Sequence, residues 1–381
     1  MSPSTAAGRL VGASTLWING RFLARPVTGV ERVAHETLRE MALDIARSGG
    51  FWNVHGNRYT LCLAAPAADD RALAQARADK LGLPVVFCGT RRGHAWEQFD
   101  LPLFVGRAWL LNLCNTAPIV KSRQWVFIHD AGVWAVPRFY TRPFRVWYRI
   151  MFRLLRLQNV GLLTNSVFSA GELAKYLCVH ISTISVVRLG ADHSNRAPLP
   201  SNALSGITLP EAPFLLAVSS QNPNKNFAAI AESLRLLGAD APPCIVVGQP
   251  RSDIFGSGAS IPSALVFCGY VSDDALKALI DRALCLIYPS FYEGFGLPPL
   301  EAMARGCPVI SSNTSALPET CGDAATYCDP GSPQSLASAI KSVTFDDALR
   351  ASMSERGRER AATFTWSSAA ACVKRVIESR L

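Results

Sequence analysis

Residues 286–308, L-I-Y-P-S-F-Y-E-G-F-G-L-P-P-L-E-A-M-A-R-G-C-P, constrain the fold of this chain more than any other stretch. An apolar run ends at Tyr288, a turn rich in Gly and Pro follows, and helical spacing takes over from about Pro299 to Ala304. Pro298 and Pro299 suit a helix start, where a missing N–H costs nothing, and Gly306 with Pro308 stops the helix. Strand, Gly loop and helix start in that order build an anion site, because free backbone N–H groups and the helix dipole converge on one point. Gly294 and Gly296 let the backbone approach a ligand closely. Glu293 and Glu301 bracket the loop, with seven residues between them. A carboxylate repels phosphate but accepts paired hydrogen bonds from sugar hydroxyls. The stretch therefore points to a phosphate held between two hydroxylated rings, a sugar nucleotide; a surface turn with solvated glutamates is the alternative.

The rest of the chain alternates short apolar runs with helical spacing. Strands are expected at 15–19, 59–64, 85–88, 108–113, 124–128 and 160–165, with helices near 30–41, 71–80 and 166–176. A further strand followed by a turn is expected within 186–192. Residues 193–211 carry Pro198, Pro200, Gly206 and Pro210 with little periodicity and read as a linker. Beyond it come strands at 213–219, 244–248, 266–270 and 309–311, helices from Ala228 and from Ser272, and a terminal helix near Trp366. Asp273 and Asp274 fall in a first helical turn, where the dipole favours acids. Such alternation indicates parallel sheets covered by helices, an α/β architecture.

Across 381 residues, 49% hydrophobic, two such units can bury sizeable cores. No run of about 18 apolar residues suggests a transmembrane helix, and M-S-P-S-T-A-A-G-R lacks the apolar segment of a secretory signal. Eleven cysteines without a C-x-x-C pair sit mostly in apolar runs and read as reduced core thiols of a cytoplasmic protein. The net charge of +9 favours a polyanionic or phosphorylated partner. No nucleic-acid motif, Walker loop or G-x-G-x-x-G accompanies it. From 138 to 158 the charge concentrates: Arg138, Arg142, Arg145, Arg149, Arg153 and Arg156 recur every three or four residues, and no acid occurs from Ala131 to Gly171. This basic amphipathic helix fits either an anionic membrane surface or an ordinary covering role with extended arginines.

The string E-G-F-G-L-P-P-L-E resembles the E-x7-E signature of the family-4 retaining glycosyltransferases of the GT-B fold. Other pieces share the resemblance: T-G-V-E-R at 28–32, W-V-F-I-H-D at 125–130, L-L-T-N-S-V-F-S at 162–169, V-V-R-L-G-A-D at 186–192, and P-N-K-N-F at 223–227. It implies two Rossmann-like domains with parallel sheets facing a cleft. The acceptor-side domain would span 1–195, the linker 196–211 and the nucleotide-sugar domain 212–362. Residues 363–381 would form a helix returning to the first domain.

By the same resemblance His129, Glu293 and Lys225 are the catalytic candidates, with Asp130 secondary. The donor would be held by Gly29, Ser219, Asn224, Lys225, Tyr270, Val271, Glu293, Gly294, Phe295, Gly296, Leu297 and Glu301. Asn224 and Ser219 depart from the family's usual Arg and Gly. Glu319, in a P-E segment, admits either a structural place or one lining the cleft. The implied reaction moves a hexose, mannose first, from GDP-mannose or a UDP-sugar to a saccharide or lipid-pyrophosphate-linked acceptor in surface polysaccharide assembly such as lipopolysaccharide. The place would be the cytoplasm or the inner face of the plasma membrane. No cofactor is implied, and the absence of D-x-D implies no metal. A GT-B sugar-nucleotide 2-epimerase and a non-catalytic sugar-nucleotide-binding protein are the alternatives.

Overall fold

The structure, a computed structural model, describes residues 13–218, 222–248 and 262–381. Ser219 and the first nine residues, both weighed above, lie outside the described residues.

Two sheets organise the chain. The first comprises β1 (Ala13–Asn19), β2 (Trp52–Val54), β3 (Asn57–Pro66), β4 (Val85–Cys88), β5 (Leu110–Asn112), β6 (Gln124–Phe127), β7 (Gly161–Thr164) and β8 (Ile184–Val186). Their order is β2-β3-β1-β5-β6-β7-β8, with β4 on the far end of β3, and only the β2–β3 pair is antiparallel. The second comprises β9 (Leu215–Val218), β10 (Cys244–Val247), β11 (Leu265–Gly269), β12 (Cys285–Tyr288), β13 (Val309–Ser312) and β14 (Ala325–Cys328). These run in the order β11-β10-β9-β12-β13-β14, all parallel. β6, β7, β10, β12 and β13 are buried along their whole length, which is why their apolar residues run consecutively rather than alternating with polar ones.

In each sheet the chain starts in the middle and winds both ways, so the strand order reverses between β1 and β5 and between β9 and β12. Crevices beyond the strand ends at such reversals are where parallel sheets bind ligands. Lys225 follows β9 and Glu293 follows β12, so the two flank the reversal of the second sheet.

Three expectations shift. Of the strand and turn expected within 186–192, the strand lies earlier, as β8, because the chain leaves the sheet after Val187, and the turn follows at Asp192–Asn195. The helix expected from Pro299 begins two residues sooner, as Leu297–Ala304, and both prolines fall in its first turn. The basic helix is Arg142–Leu157; Arg138 precedes it in a short turn. Two helices, Pro333–Phe345 and Asp347–Ala362, and the strands β2 and β14 are additional.

One buried apolar cluster runs through both halves, from Leu16 and Leu38 to Phe295 and Trp366. The last helix, Trp366–Glu378, starts in the second half and lies on the Gly29–Arg47 helix. Trp52 Nε1 donates to Glu378 Oε1 at 2.9 Å, and Arg380 donates to the Asn159 carbonyl at 2.7 Å. All eleven cysteines are free. Among the described residues no helix is long and apolar enough to cross a membrane.

Candidate active site

β12 delivers the chain to a loop at 289–296 whose exit depends on Gly296. Its φ of +104° ends the loop and caps the Leu297–Ala304 helix, a conformation that excludes side chains. The N–H groups of Phe295, Gly296 and Leu297 donate to no protein acceptor among the described residues, so three aligned donors stand open at a helix start. The loop is pinned instead through its carbonyls. Thr320 Oγ1 donates to Phe295 O and Ser312 Oγ to Ser290 O, each at 2.6 Å, while the Glu293 N–H donates to Ser315 Oγ at 3.0 Å. Two pins come from the first half: Ser166 Oγ and Ser169 Oγ donate to the Gly294 carbonyl at 2.6 and 3.0 Å. A Cβ on Gly294 would overlap the His129 carbonyl, so glycine is what lets the two halves meet here.

Lys225 ends a short turn, Pro223–Lys225. Asn226, at φ +56°, redirects the chain into the Phe227–Leu237 helix, and its amide ties down the carbonyls of Pro289 (3.0 Å) and Pro330 (2.7 Å). Lys225 Nζ thereby reaches Glu293 Oε1 at 2.7 Å and the Tyr288 hydroxyl at 2.5 Å. Burial alone would lower the proton affinity of this ammonium, but Glu293 and Tyr288 outweigh it and hold the pKa above the usual lysine range. Lys225 is therefore a fixed cation. Asn224, beside it, is buried; its side-chain amide donates to the Tyr292 carbonyl and its backbone carbonyl accepts from the Phe291 N–H at 2.9 Å, so it shapes the loop, while its side-chain oxygen has no hydrogen-bond partner among the described residues.

Across the cleft, His129 and Asp130 follow β6. His129 Nε2 lies 2.9 Å from the Leu113 carbonyl, which can only accept, so this nitrogen carries the proton. Burial pushes the imidazole pKa down to about 4, which leaves the ring neutral at neutral pH. Asp130 accepts from the Gly132 N–H at 2.7 Å, and burial raises its pKa.

Glu301, one turn into the Leu297–Ala304 helix, is held from the first half. His193 Nε2 lies 2.9 Å from its Oε1, and Arg32 Nε lies 3.7 Å from the same oxygen. Trp366 Nε1 donates to His193 Nδ1 at 2.9 Å, which fixes the tautomer: His193 Nε2 bears the proton and donates to Glu301. Oε2 makes no bond among the described residues. Arg32 also pairs with Asp273 at 2.7 Å, so Asp273 links the halves besides standing in a first helical turn, while Ser272 caps that helix. Glu319 is structural: its two oxygens accept from the N–H groups of Val167 and Phe168 (2.9 and 3.0 Å), capping a first-half helix from the second half.

The structure brings Lys225, Glu293, Gly294, Phe295, Gly296 and Leu297 together at one loop, with His129 and Asp130 against it. Gly29 opens the Gly29–Arg47 helix, whose first turn carries Arg32 toward Glu301. Tyr270 stands 77% exposed at the end of β11, with Val271 packed on the core beside it. Sequence reasoning missed Arg32, His193 and Tyr288. Arg32 and His193 lie within the quoted T-G-V-E-R piece and one residue past V-V-R-L-G-A-D, so closeness to those segments was the available signal.

Comparison with known proteins gives the family and the fold. Residues 207–360 match the family model described as glycosyl transferases group 1. The chain is 30% identical over 259 residues to the O-antigen chain mannosyltransferase B of Escherichia coli, covering 64% of this chain and 67% of that protein. It is 27% identical to the O-antigen chain mannosyltransferase RfbU of Salmonella typhimurium, covering 60% and 63% respectively. Among solved structures, Anabaena Alr3699/HepE in complex with UDP and glucose superposes with a TM-score of 0.73 at 15% identity, over 97% of this chain and 100% of that one. With two parallel sheets meeting at a cleft and these relatives, the chain belongs to the glycosyl transferases group 1 family and is a glycosyltransferase of the GT-B fold.

Proposed function

We propose that this enzyme moves a mannosyl group, with retention, from a nucleotide diphosphate sugar to a saccharide or lipid-linked acceptor of surface polysaccharide assembly, without a metal ion. The observation that carries the reading is Lys225 fixed 2.7 Å from Glu293 beside three open N–H groups. A departing diphosphate needs preorganised positive charge and donors where its own charge develops. Lys225 and the N–H groups of Phe295, Gly296 and Leu297 supply them, Glu293 takes the donor sugar's C3 and C4 hydroxyls, and Glu301 takes the ribose. The leaving phosphate accepts the acceptor's proton on the front face, so neither glutamate serves as general base. His129, neutral, lines the sugar's side of the cleft. GDP-mannose is the first candidate donor, supported by the mannosyltransferase names of the relatives, and a UDP-sugar is the second.

With no D-x-D in the sequence, the diphosphate is met by protein cations and dipoles. Transfer from the donor should therefore persist in excess EDTA. An activity abolished by EDTA and restored by Mg²⁺ or Mn²⁺ would overturn this account.

The 138–158 segment is the proposed contact with an anionic membrane. Val146, Ile150 and Leu157 are 57%, 48% and 71% exposed, interleaved with exposed Arg142, Arg153 and Arg156. Arg149 is committed elsewhere, donating twice to the Val133 carbonyl. Each basic group near such a surface contributes about 1 kcal/mol. Changing Arg142, Arg153 and Arg156 to Gln should reduce co-flotation with anionic liposomes and leave donor binding intact. Wild-type protein that ignores such liposomes at low salt would make this an ordinary covering helix.

A further inference from the structure

A cavity of about 740 Å³ opens in the first half, and none of its lining residues belongs to the donor site. Its floor is Arg21, just past β1. The guanidinium is immobilised: Nη2 donates to Thr116 Oγ1 at 2.9 Å, and Nη1 lies 3.2 Å from His94 Nδ1 and 3.6 Å from Glu97 Oε2. Glu97 is fully buried and accepts from Asn19 Nδ2 (2.8 Å) and Thr116 Oγ1 (2.7 Å). Burial alone would raise its pKa; the bonds from His94, Thr116 and Asn19 and the Arg21 charge outweigh that and hold it below the usual carboxylate range. A buried anion used only to aim one arginine is costly, and this one is fully hydrogen-bonded. At the rim, the Asp69 carboxylate and the Arg92 guanidinium make no side-chain bond among the described residues.

The wall is aromatic. Phe144 and Tyr148 line the cavity, their ring centroids 4.2 Å apart, and Tyr140 stacks on Phe144 at 5.5 Å. This ladder leads to the transfer site. At its far end the Tyr140 hydroxyl lies against Gly132 beside Asp130, and Asp130, Glu293 and Lys225 all act on it electrostatically.

The lining suits one class of ligand. Guanidinium and imidazole donate, carboxylates accept, and each hydroxyl of a sugar does both. Aromatic walls match the apolar faces of a pyranose ring. Arg21 and Arg25 of the lining are already paired with Glu97 and Glu31, so a bare phosphate would meet Asp69 and Asp70 offset by Arg92, and an acyl chain would meet charge. The volume lies within the range of about 300–1,000 Å³ usual for ligand sites. Resting on the glycosyl-transfer reading above, we infer that this cavity is a remote saccharide subsite, joined to the transfer site by the Tyr140–Phe144–Tyr148 ladder, so that the acceptor is an oligosaccharide chain.

The test is ligand-observed NMR with manno-, gluco- and galacto-oligosaccharides of one to four units, without donor, on wild type, Phe144→Ala and Arg92→Ala. In one series wild-type affinity should rise about tenfold or more with chain length, and both variants should lose that rise while melting at the wild-type temperature. Affinity independent of length in every series, or a rise surviving both substitutions, overturns the inference. So does inorganic pyrophosphate competing with the sugars and losing affinity in the same variants, since the cavity would then be an anion site. Failure of the transfer reading would show separately, as no binding or hydrolysis of any nucleotide sugar, a measurement that does not use this cavity.

Discussion

Lys225→Ala is expected to lower kcat for sugar transfer about 10²–10³-fold, the usual loss, about 2.7–4 kcal/mol, when one preorganised donor to a developing anion is removed. The structure sharpens the reason. Nζ is already oriented by Tyr288 and Glu293 before any donor arrives, so little reorganisation remains for the moment of bond cleavage. The substitution also strips Glu293 of its cation, and an unpaired, mostly buried carboxylate is destabilising. Melting temperature must therefore be measured beside kcat, and the double variant Lys225→Ala/Glu293→Gln removes both charges together. A kcat within a few-fold of wild type would show that the leaving group is stabilised elsewhere.

Glu301→Ala is expected to do the opposite: raise KM for the donor and spare kcat. The ribose is unchanged through the reaction, so its contacts contribute equally to ground and transition states. Charge-assisted hydrogen bonds to it are each worth about 1.5–3 kcal/mol, or about 10- to 150-fold in KM. His193 and Arg32 both approach Oε1 and leave Oε2 without a partner among the described residues, the arrangement expected of a carboxylate positioned for a ligand. His193→Ala should then reproduce part of the KM effect without touching the ligand. Steady-state kinetics with donor varied decides it; a collapse of kcat at unchanged KM would reverse the roles given to Glu301 and Lys225.

These residues were unevenly legible. The 286–308 stretch could be read locally because each part is governed by its neighbours: an apolar strand, glycines at the turn, prolines in the first helical turn. Even there the helix start slipped by two residues, since Gly296 in the left-handed region lets Leu297 begin it. His193, Arg32 and Trp366 act through partners more than a hundred positions away, and no period or spacing encodes such a meeting. The Asp347–Ala362 helix escaped for another reason. Its buried positions are Met353, Gly357 and Ala361, with a glycine where it packs on Met303, so a single large apolar residue faces inward and no hydrophobic stripe marks it. Asn224 could be placed near the donor only by its neighbourhood in the motif; that its amide also serves the Tyr292 carbonyl depends on a residue 68 positions away, which no local pattern encodes.

The terminal helix has a bearing on how the molecule is made. Trp366 is wholly buried, the backbone N–H of that residue donates to Asp192 at 2.7 Å, and Gly190 has no side chain because one would strike the Trp366 backbone. Val373 and Ile377 complete the core that Val33, Leu38 and Met41 begin. The first half thus lacks one covering layer until residues 366–378 leave the ribosome. Its apolar face on the Gly29–Arg47 helix waits, uncovered, through translation of the whole second half, an interval of about 10–40 s at 5–20 residues per second. Severing the chain between the two sheets would likewise strand that layer on the wrong fragment, so the two halves are one unit for biogenesis although each has its own sheet.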